Sequence, residues 1–123
     1  MQLDHINLCA PAELMELVRE FYCAVLGFQV GARPDIPFPG YWLYAEGESM
    51  AVVHLLESNN HTRPTLNHLD HVAFRTGELK PVIDALSARG VEYSYLDFPD
   101  FNLQQIAFLD PCGVKIEVNA YKG

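Results

Sequence analysis

The hexapeptide Leu3-Asp4-His5-Ile6-Asn7-Leu8 returns 66 residues later as Leu69-Asp70-His71-Val72-Ala73-Phe74, and the stretches after the two copies are also alike. Both copies continue into a helical pattern that ends in glycine, then into a β-rich stretch. Self-similarity on this scale makes one structural unit written twice the simplest fold. With 123 residues the chain has the length of one ordinary domain. The expected organisation is a single domain, 1–123, with one module over about 1–57, a polar linker with Pro64 over about 58–67, and a second module over about 68–123.

Half the residues are hydrophobic and a fifth are charged, enough apolar side chain for a core in each module. Eight Lys and Arg against sixteen Asp and Glu give a net charge of −8. A surface of that sign repels phosphate backbones and anionic lipid, which argues against nucleic acid and membrane and leaves a small molecule as the expected partner. No apolar run approaches the roughly 20 residues that span a bilayer. The start, Met1-Gln2-Leu3-Asp4-His5, lacks the basic and then apolar pattern of a signal peptide, so a cytoplasmic protein is expected. Cys9, Cys23 and Cys112 are odd in number and without CxxC spacing, which reads as reduced thiols. Cys112, in a turn, reads as an exposed, oxidisable one.

Leu14, Leu17, Val18, Phe21, Tyr22 and Val25 recur at helical spacing between Pro11 and Gly27, predicting a helix over 11–26. Leu79, Val82, Ile83 and Leu86 do the same before Gly90, predicting a helix over 78–89. Strands are predicted at 2–9, 28–33, 41–46 and 50–56, then at 69–76, 91–96, 104–109 and 114–119. Each copy is therefore βαβββ. Gly47-Glu48 and Asp110-Pro111-Cys112-Gly113 read as turns between paired strands, and the three prolines between Pro34 and Gly40 as a rigid loop.

A helix covers one face of each sheet, so polar residues on the other face are the informative ones. Alternation places His5 and Asn7 there from the first strand and His54 from the fourth. In the second copy it places His71 and Arg75 from the first strand, and Lys115, Glu117 and Asn119 from the last. His5 and His54 lie 49 residues apart, His71 and Glu117 46 apart. Three imidazoles and a carboxylate at matching repeat positions are suitable ligands for Zn, Ni, Fe, Mn or Co. Glu57 stands three residues beyond His54 and falls on the helix side. His61 and His68 hold no repeat position and read as solvated.

The paired βαβββ units, Phe21-Tyr22-Cys23-Ala24-Val25-Leu26-Gly27-Phe28, Leu69 to Phe74, and Phe108 to Val118 (FLDPCGVKIEV) resemble the vicinal-oxygen-chelate superfamily. That group includes glyoxalase I, extradiol dioxygenases, fosfomycin-resistance proteins and methylmalonyl-CoA epimerase. The resemblance covers nearly the whole chain. It implies an α+β fold in which two βαβββ modules form paired curved mixed sheets around a metal-lined cavity. It also implies metal ligands on the first and fourth strands of each module, which match His5, His54, His71 and Glu117. Two features depart from the family pattern: glyoxalase I carries a carboxylate where His54 stands, and the usual DPDG or DPNG turn reads Asp110-Pro111-Cys112-Gly113.

Four ligands on an octahedral metal leave two positions for adjacent substrate oxygens, and the metal then acts as Lewis acid on an enolate. The leading expectation is a glyoxalase-like lyase or isomerase that moves a proton α to a carbonyl. Glu117 is its proton carrier, by resemblance to glyoxalase I, and His54 is either a ligand or a second acid/base. The alternatives are an extradiol-type ring-cleaving dioxygenase using His5, His71 and Glu117, and a ligand-sequestering protein of the bleomycin-resistance kind. Arg75, Lys115, Asn7 and Asn119 are expected to meet an anionic or polar part of the substrate. Trp42 leads an aromatic row with Phe38, Tyr41, Tyr44 and Phe101 for an apolar part. Of Gln104 and Gln105 only one can reach the cavity. In many members of that superfamily the modules pair across a dimer, so the resemblance implies a homodimer, with each site completed within one chain or between two.

Overall fold

The computed structural model of the protein describes residues 2–60 and 68–122. The chain divides into two compact units, Met1–Pro64 and Thr65–Gly123, each α+β with the order βαβββ. The first holds β1 (Ile6–Ala10), α1 (Ala12–Leu26), β2 (Gln29–Gly31), β3 (Gly40–Tyr44) and β4 (Ala51–Glu57), in a sheet of order β1-β4-β3-β2. The second holds β5 (Val72–Thr76), α2 (Lys80–Ala88), β6 (Ser94–Phe98), β7 (Leu103–Leu109) and β8 (Lys115–Tyr121), in the order β5-β8-β7-β6. In each unit the first and last strands run parallel and the remaining pairs antiparallel. A parallel neighbour needs a crossover, and the helix with the two reversals after it provides one. Both sheets are open rather than closed barrels.

The two ladders repeat residue by residue. Ile6 stands opposite Val53 and Asn7 opposite His54; Val72 stands opposite Ile116 and Ala73 opposite Glu117. In the first unit Met15, Val18, Phe21, Tyr22 and Val25 of α1 are buried, as are Leu43, Val53 and Leu55 of the sheet. The second buries Leu79, Val82 and Leu86 with Ile106, Phe108, Ile116 and Val118. Each such side chain contributes about 1.5–3 kcal/mol on full burial, and together they form the core of each unit. Leu17, expected on the buried stripe, is 59% exposed, and Met15 takes its place. Two helical steps turn a side chain by about 200°, so positions 15 and 17 cannot share a face.

Both helices stop where expected. At the end of α2, Gly90 has φ 65°, its N–H reaches the Ser87 carbonyl (3.1 Å) and the Val91 N–H reaches that of Leu86 (3.0 Å). That is a Schellman closure, which takes up residues predicted as strand and delays β6 to Ser94. The strands predicted from residues 2 and 69 begin only at Ile6 and Val72, so His5 and His71 stand one residue ahead of their ladders. Aspartate disfavours strand, and Asp4 and Asp70 turn their carboxylates onto those histidines instead. β2 is three residues rather than the predicted 28–33, because the prolines beyond it cannot donate to a ladder. A 3-10 turn at Pro99–Phe101, not anticipated from the sequence, joins β6 to β7. Gly40 permits close packing: a Cβ there would run into the Leu55 carbonyl oxygen and lie 3.0 Å from Arg33 Nη2.

The turn between β7 and β8 is organised by Asp110, which is 4% exposed. Its Oδ1 accepts from the N–H groups of Cys112 (2.8 Å) and Val114 (2.9 Å). Asp110→Ala strands both amides and is expected to cost about 1–3 kcal/mol, read as a lower urea midpoint. Asp110→Asn keeps an acceptor and is expected to lose less. Cys112 is partly covered rather than fully exposed, and burial pushes its thiol up to about 11, so it stays protonated and poorly reactive at neutral pH. The predicted linker lies mostly outside the described residues, as does His61; His68 is exposed. Among the described residues no helix is long and apolar enough to cross a membrane.

Candidate functional site

In the first unit the parallel pairing of β1 and β4 sets Asn7 beside His54 on the face turned away from α1. His5, just ahead of β1, lays its ring on that of His54, with centroids 3.8 Å apart and planes at 15°. Trp42, opposite His54 on β3, covers the other side at 4.0 Å and 9°. His54 is thus sandwiched. Burial, and then the neighbouring His5, hold its pKa below the usual histidine value, which favours the neutral imidazole. His5 Nδ1 donates to Asp4 Oδ2 at 2.5 Å. A carboxylate can only accept, so in the neutral ring this bond fixes the tautomer and puts the lone pair on Nε2.

The second unit repeats the device. His71 Nδ1 donates to Asp70 Oδ2 at 2.9 Å, and Nε2 lies 3.3 Å from Glu117 Oε1. The His71 hydrogen bond, and after it the Lys115 charge, holds the Asp70 carboxyl below its usual range. Glu117, with 12% of its side chain exposed, is more covered than His71, Asp70 or Lys115. Gln105 Nε2 donates both to Glu117 Oε1 and to Asn119 Oδ1, each at 2.9 Å. Lys115, expected to meet a substrate anion, instead faces two carboxylates of its own unit: Asp70 Oδ2 at 3.7 Å and Glu117 Oε2 at 3.8 Å. Arg75 stands opposite Asn119 and lays its guanidinium carbon 4.7 Å from the Tyr121 ring centroid.

These donor sets fit a divalent metal unevenly. His71 Nε2 and Glu117 Oε1 have the separation of neighbouring donors that each sit about 2.0–2.2 Å from one ion, so this pair fits. His5 presents Nε2 with the same carboxylate support. His54 differs, because two nearly parallel rings cannot both aim in-plane lone pairs at one ion about 2.0–2.1 Å away. Joint ligation by His5 and His54 therefore requires one ring to turn. Within neither unit, among the described residues, do three or more His, Cys, Asp or Glu side chains gather to hold an ion; each unit offers a pair.

Of the aromatic row, Trp42 covers His54, whereas Tyr41 turns to the helix and donates its hydroxyl to Glu16 Oε1 at 2.5 Å. Tyr44 donates to the Ala32 carbonyl, and Phe38 and Phe101 are 58% and 75% exposed. Glu57 ends β4 opposite Ala10, in register with the helix-facing set. Sequence reasoning missed Asp4 and Asp70, although the repeated Asp-His dipeptide carried the signal. It left Gln104 and Gln105 undecided, and the ladder assigns Gln105 to the face of Glu117 and Asn119. Carboxylates that orient ligating histidines are worth about 10–100-fold in metal affinity, so, with His5 and His71 as the proposed ligands, Asp4→Asn and Asp70→Asn are each expected to lose that much in chelator competition.

The model of the Glyoxalase/Bleomycin resistance protein/Dioxygenase superfamily matches residues 2–118, and the chain belongs to that superfamily. Among solved structures it is similar to the trypanothione-dependent glyoxalase I of Leishmania major, with 20% identity, 98% of this chain and 86% of that one covered, and a TM-score of 0.74. It is also similar to the fosfomycin resistance protein FosX of Listeria monocytogenes, with 17% identity, coverage of 99% and 94%, and a TM-score of 0.72. A glyoxalase family protein from Enterococcus faecalis gives 21%, 96% of each chain and 0.66. These likenesses are of fold. A variant of the Listeria protein has been seen with Mn(II) and 1S,2S-dihydroxypropylphosphonic acid. No curated protein matches the sequence.

Proposed function

We propose that the protein is a metal-dependent lyase or isomerase of the glyoxalase type, which binds a small molecule through two adjacent oxygens and moves a proton α to a carbonyl. The Asp-His pair heading each unit carries this reading. Each histidine is oriented by its own carboxylate and stands beside a second proton-carrying side chain, His54 in one unit and Glu117 in the other. His5, His71 and Glu117 would hold a divalent Zn, Ni, Fe, Mn or Co, joined by His54 once its ring turns. Bound there, the metal supplies Lewis-acid stabilisation to negative charge developing on substrate oxygen. Glu117, oriented by Gln105, takes the proton from carbon and returns it. His54, kept neutral and held between two rings, is the second group able to accept one. Asn7, beside it, is a donor for a substrate oxygen. The homodimer and the cytoplasmic location belong to the same proposal.

The stacking of His54 on His5 favours one other reading. With His54 left as an acid/base, His5, His71 and Glu117 make a 2-His-1-carboxylate set suited to iron and to ring cleavage of catechols. One experiment separates the two. Protein reconstituted anaerobically with Zn(II), Ni(II) or Fe(II) is incubated in D2O with hemithioacetals and α-hydroxyketones. Exchange of the α-proton by NMR, abolished in Glu117→Gln, is the expected result. Oxygen uptake with catechols and no exchange would establish the dioxygenase instead. Neither activity, with tight ligand binding retained, would leave a sequestering protein of the bleomycin-resistance kind.

A further inference from the structure

We propose that Arg75 and Asn119 form a carboxylate-binding subsite, so that the substrate carries a carboxylate at a fixed reach from Glu117. The inference deepens the functional reading and rests on it for the role of Glu117 alone. Three observations within the second unit carry it.

The first is the state of Arg75. In a chain of net charge −8, no carboxylate among the described residues pairs with it. Its guanidinium lies over the Tyr121 ring, which holds the cation in place and leaves its N–H edge open. The second is the orientation of Asn119. Gln105 Nε2 has two hydrogens, and both are committed, one to Glu117 and one to Asn119 Oδ1. The Asn119 carbonyl is therefore the end turned to Gln105, and its Nδ2 donors face away from it. Arg75 and Asn119 are partners across the β5/β8 ladder, so guanidinium and amide donors stand together on one face.

The third is charge accounting. Lys115 lies within 3.8 Å of both Asp70 and Glu117, so its charge is already answered. One uncommitted cation with a neutral amide matches a singly charged carboxylate better than a doubly charged phosphate. Asn119 lies two residues beyond Glu117, about 6.5–7 Å along the strand. A substrate that meets Glu117 at its reacting carbon and Asn119 at its carboxylate therefore has a spacer of a few carbons, as in a five- or six-carbon hydroxy or keto acid with a terminal carboxylate.

The test uses the full chain labelled with 15N, titrated with glutarate, with inorganic phosphate, and with 2-hydroxyglutarate, each with and without Zn(II). Glutarate is expected to shift the Arg75 Nε–Hε and Asn119 Nδ2 side-chain signals without metal. In Arg75→Gln its Kd should rise at least ten-fold, in Arg75→Lys less, and in Lys122→Gln, a control for general positive charge, less than two-fold. Unmoved side-chain signals, an unchanged Kd in Arg75→Gln, or tighter binding of phosphate than of glutarate would each overturn the carboxylate subsite. Zn(II) should tighten 2-hydroxyglutarate and leave glutarate unchanged. Indifference of 2-hydroxyglutarate to the metal would count against the metal-dependent function, while the glutarate arm still decides the subsite.

Discussion

Glu117→Ala is expected to lower turnover by about 10²–10⁴-fold, the range lost when a positioned acid/base group is removed. The effect is large because one carboxylate meets several groups: His71 Nε2 at 3.3 Å, Gln105 Nε2 at 2.9 Å and Lys115 Nζ at 3.8 Å. Under the proposed function its loss removes both the proposed metal donor and the proposed proton carrier, and it leaves Lys115 with Asp70. Glu117→Gln separates these roles, since an amide oxygen still accepts from Gln105 but is a poor base. Steady-state kcat for both variants, with circular dichroism to show the sheet intact, makes the comparison. Activity within ten-fold of wild type in Glu117→Gln would remove Glu117 from the reaction.

A large loss of stability is expected at Leu43. It is fully buried on β3, between Val30 and Val53 in the ladder and on the side facing α1. Leu43→Ala should cost about 2–5 kcal/mol, because the packed helix above cannot collapse fully into the space. For a unit of this size each kcal/mol is worth about 4–8 °C in Tm, so the first unit should melt well before the wild type. Val30, its ladder partner, is 48% exposed, and Val30→Ala should change stability by about 0.5 kcal/mol or less. Urea midpoints of the two variants give the comparison, and equal midpoints would contradict the assignment of this core.

The repeat made most of the fold legible. Once Leu3 to Leu8 is seen again at Leu69 to Phe74, period-2 alternation assigns Asn7 and His54 to one face and Val53 and Leu55 to the other, as the ladder has them. Glycine after a helical stripe marked both helix ends. Leu17 escaped because leucine is common on exposed helix faces, and only the angular position relative to Met15 decides burial. Strand starts escaped because Asp4 and Asp70 bond the next side chain rather than extend a ladder. At the site, residue types and faces were legible while partners were not. Nothing local in the sequence shows that Lys115 would be engaged by Asp70, that Gln105 would tie Glu117 to Asn119, or that Trp42 and His5 would enclose His54. Those contacts depend on cross-strand register, which long-range pairing sets.

Metal content per chain, by inductively coupled plasma mass spectrometry on protein prepared without chelators and after anaerobic reconstitution, decides whether His5 and His71 share one ion. About one transition metal per chain is expected, lost in His5→Ala and equally in His71→Ala, since the proposed ion takes donors from both histidines. No metal in either preparation, or a full complement kept when either histidine is removed, would contradict the shared ion.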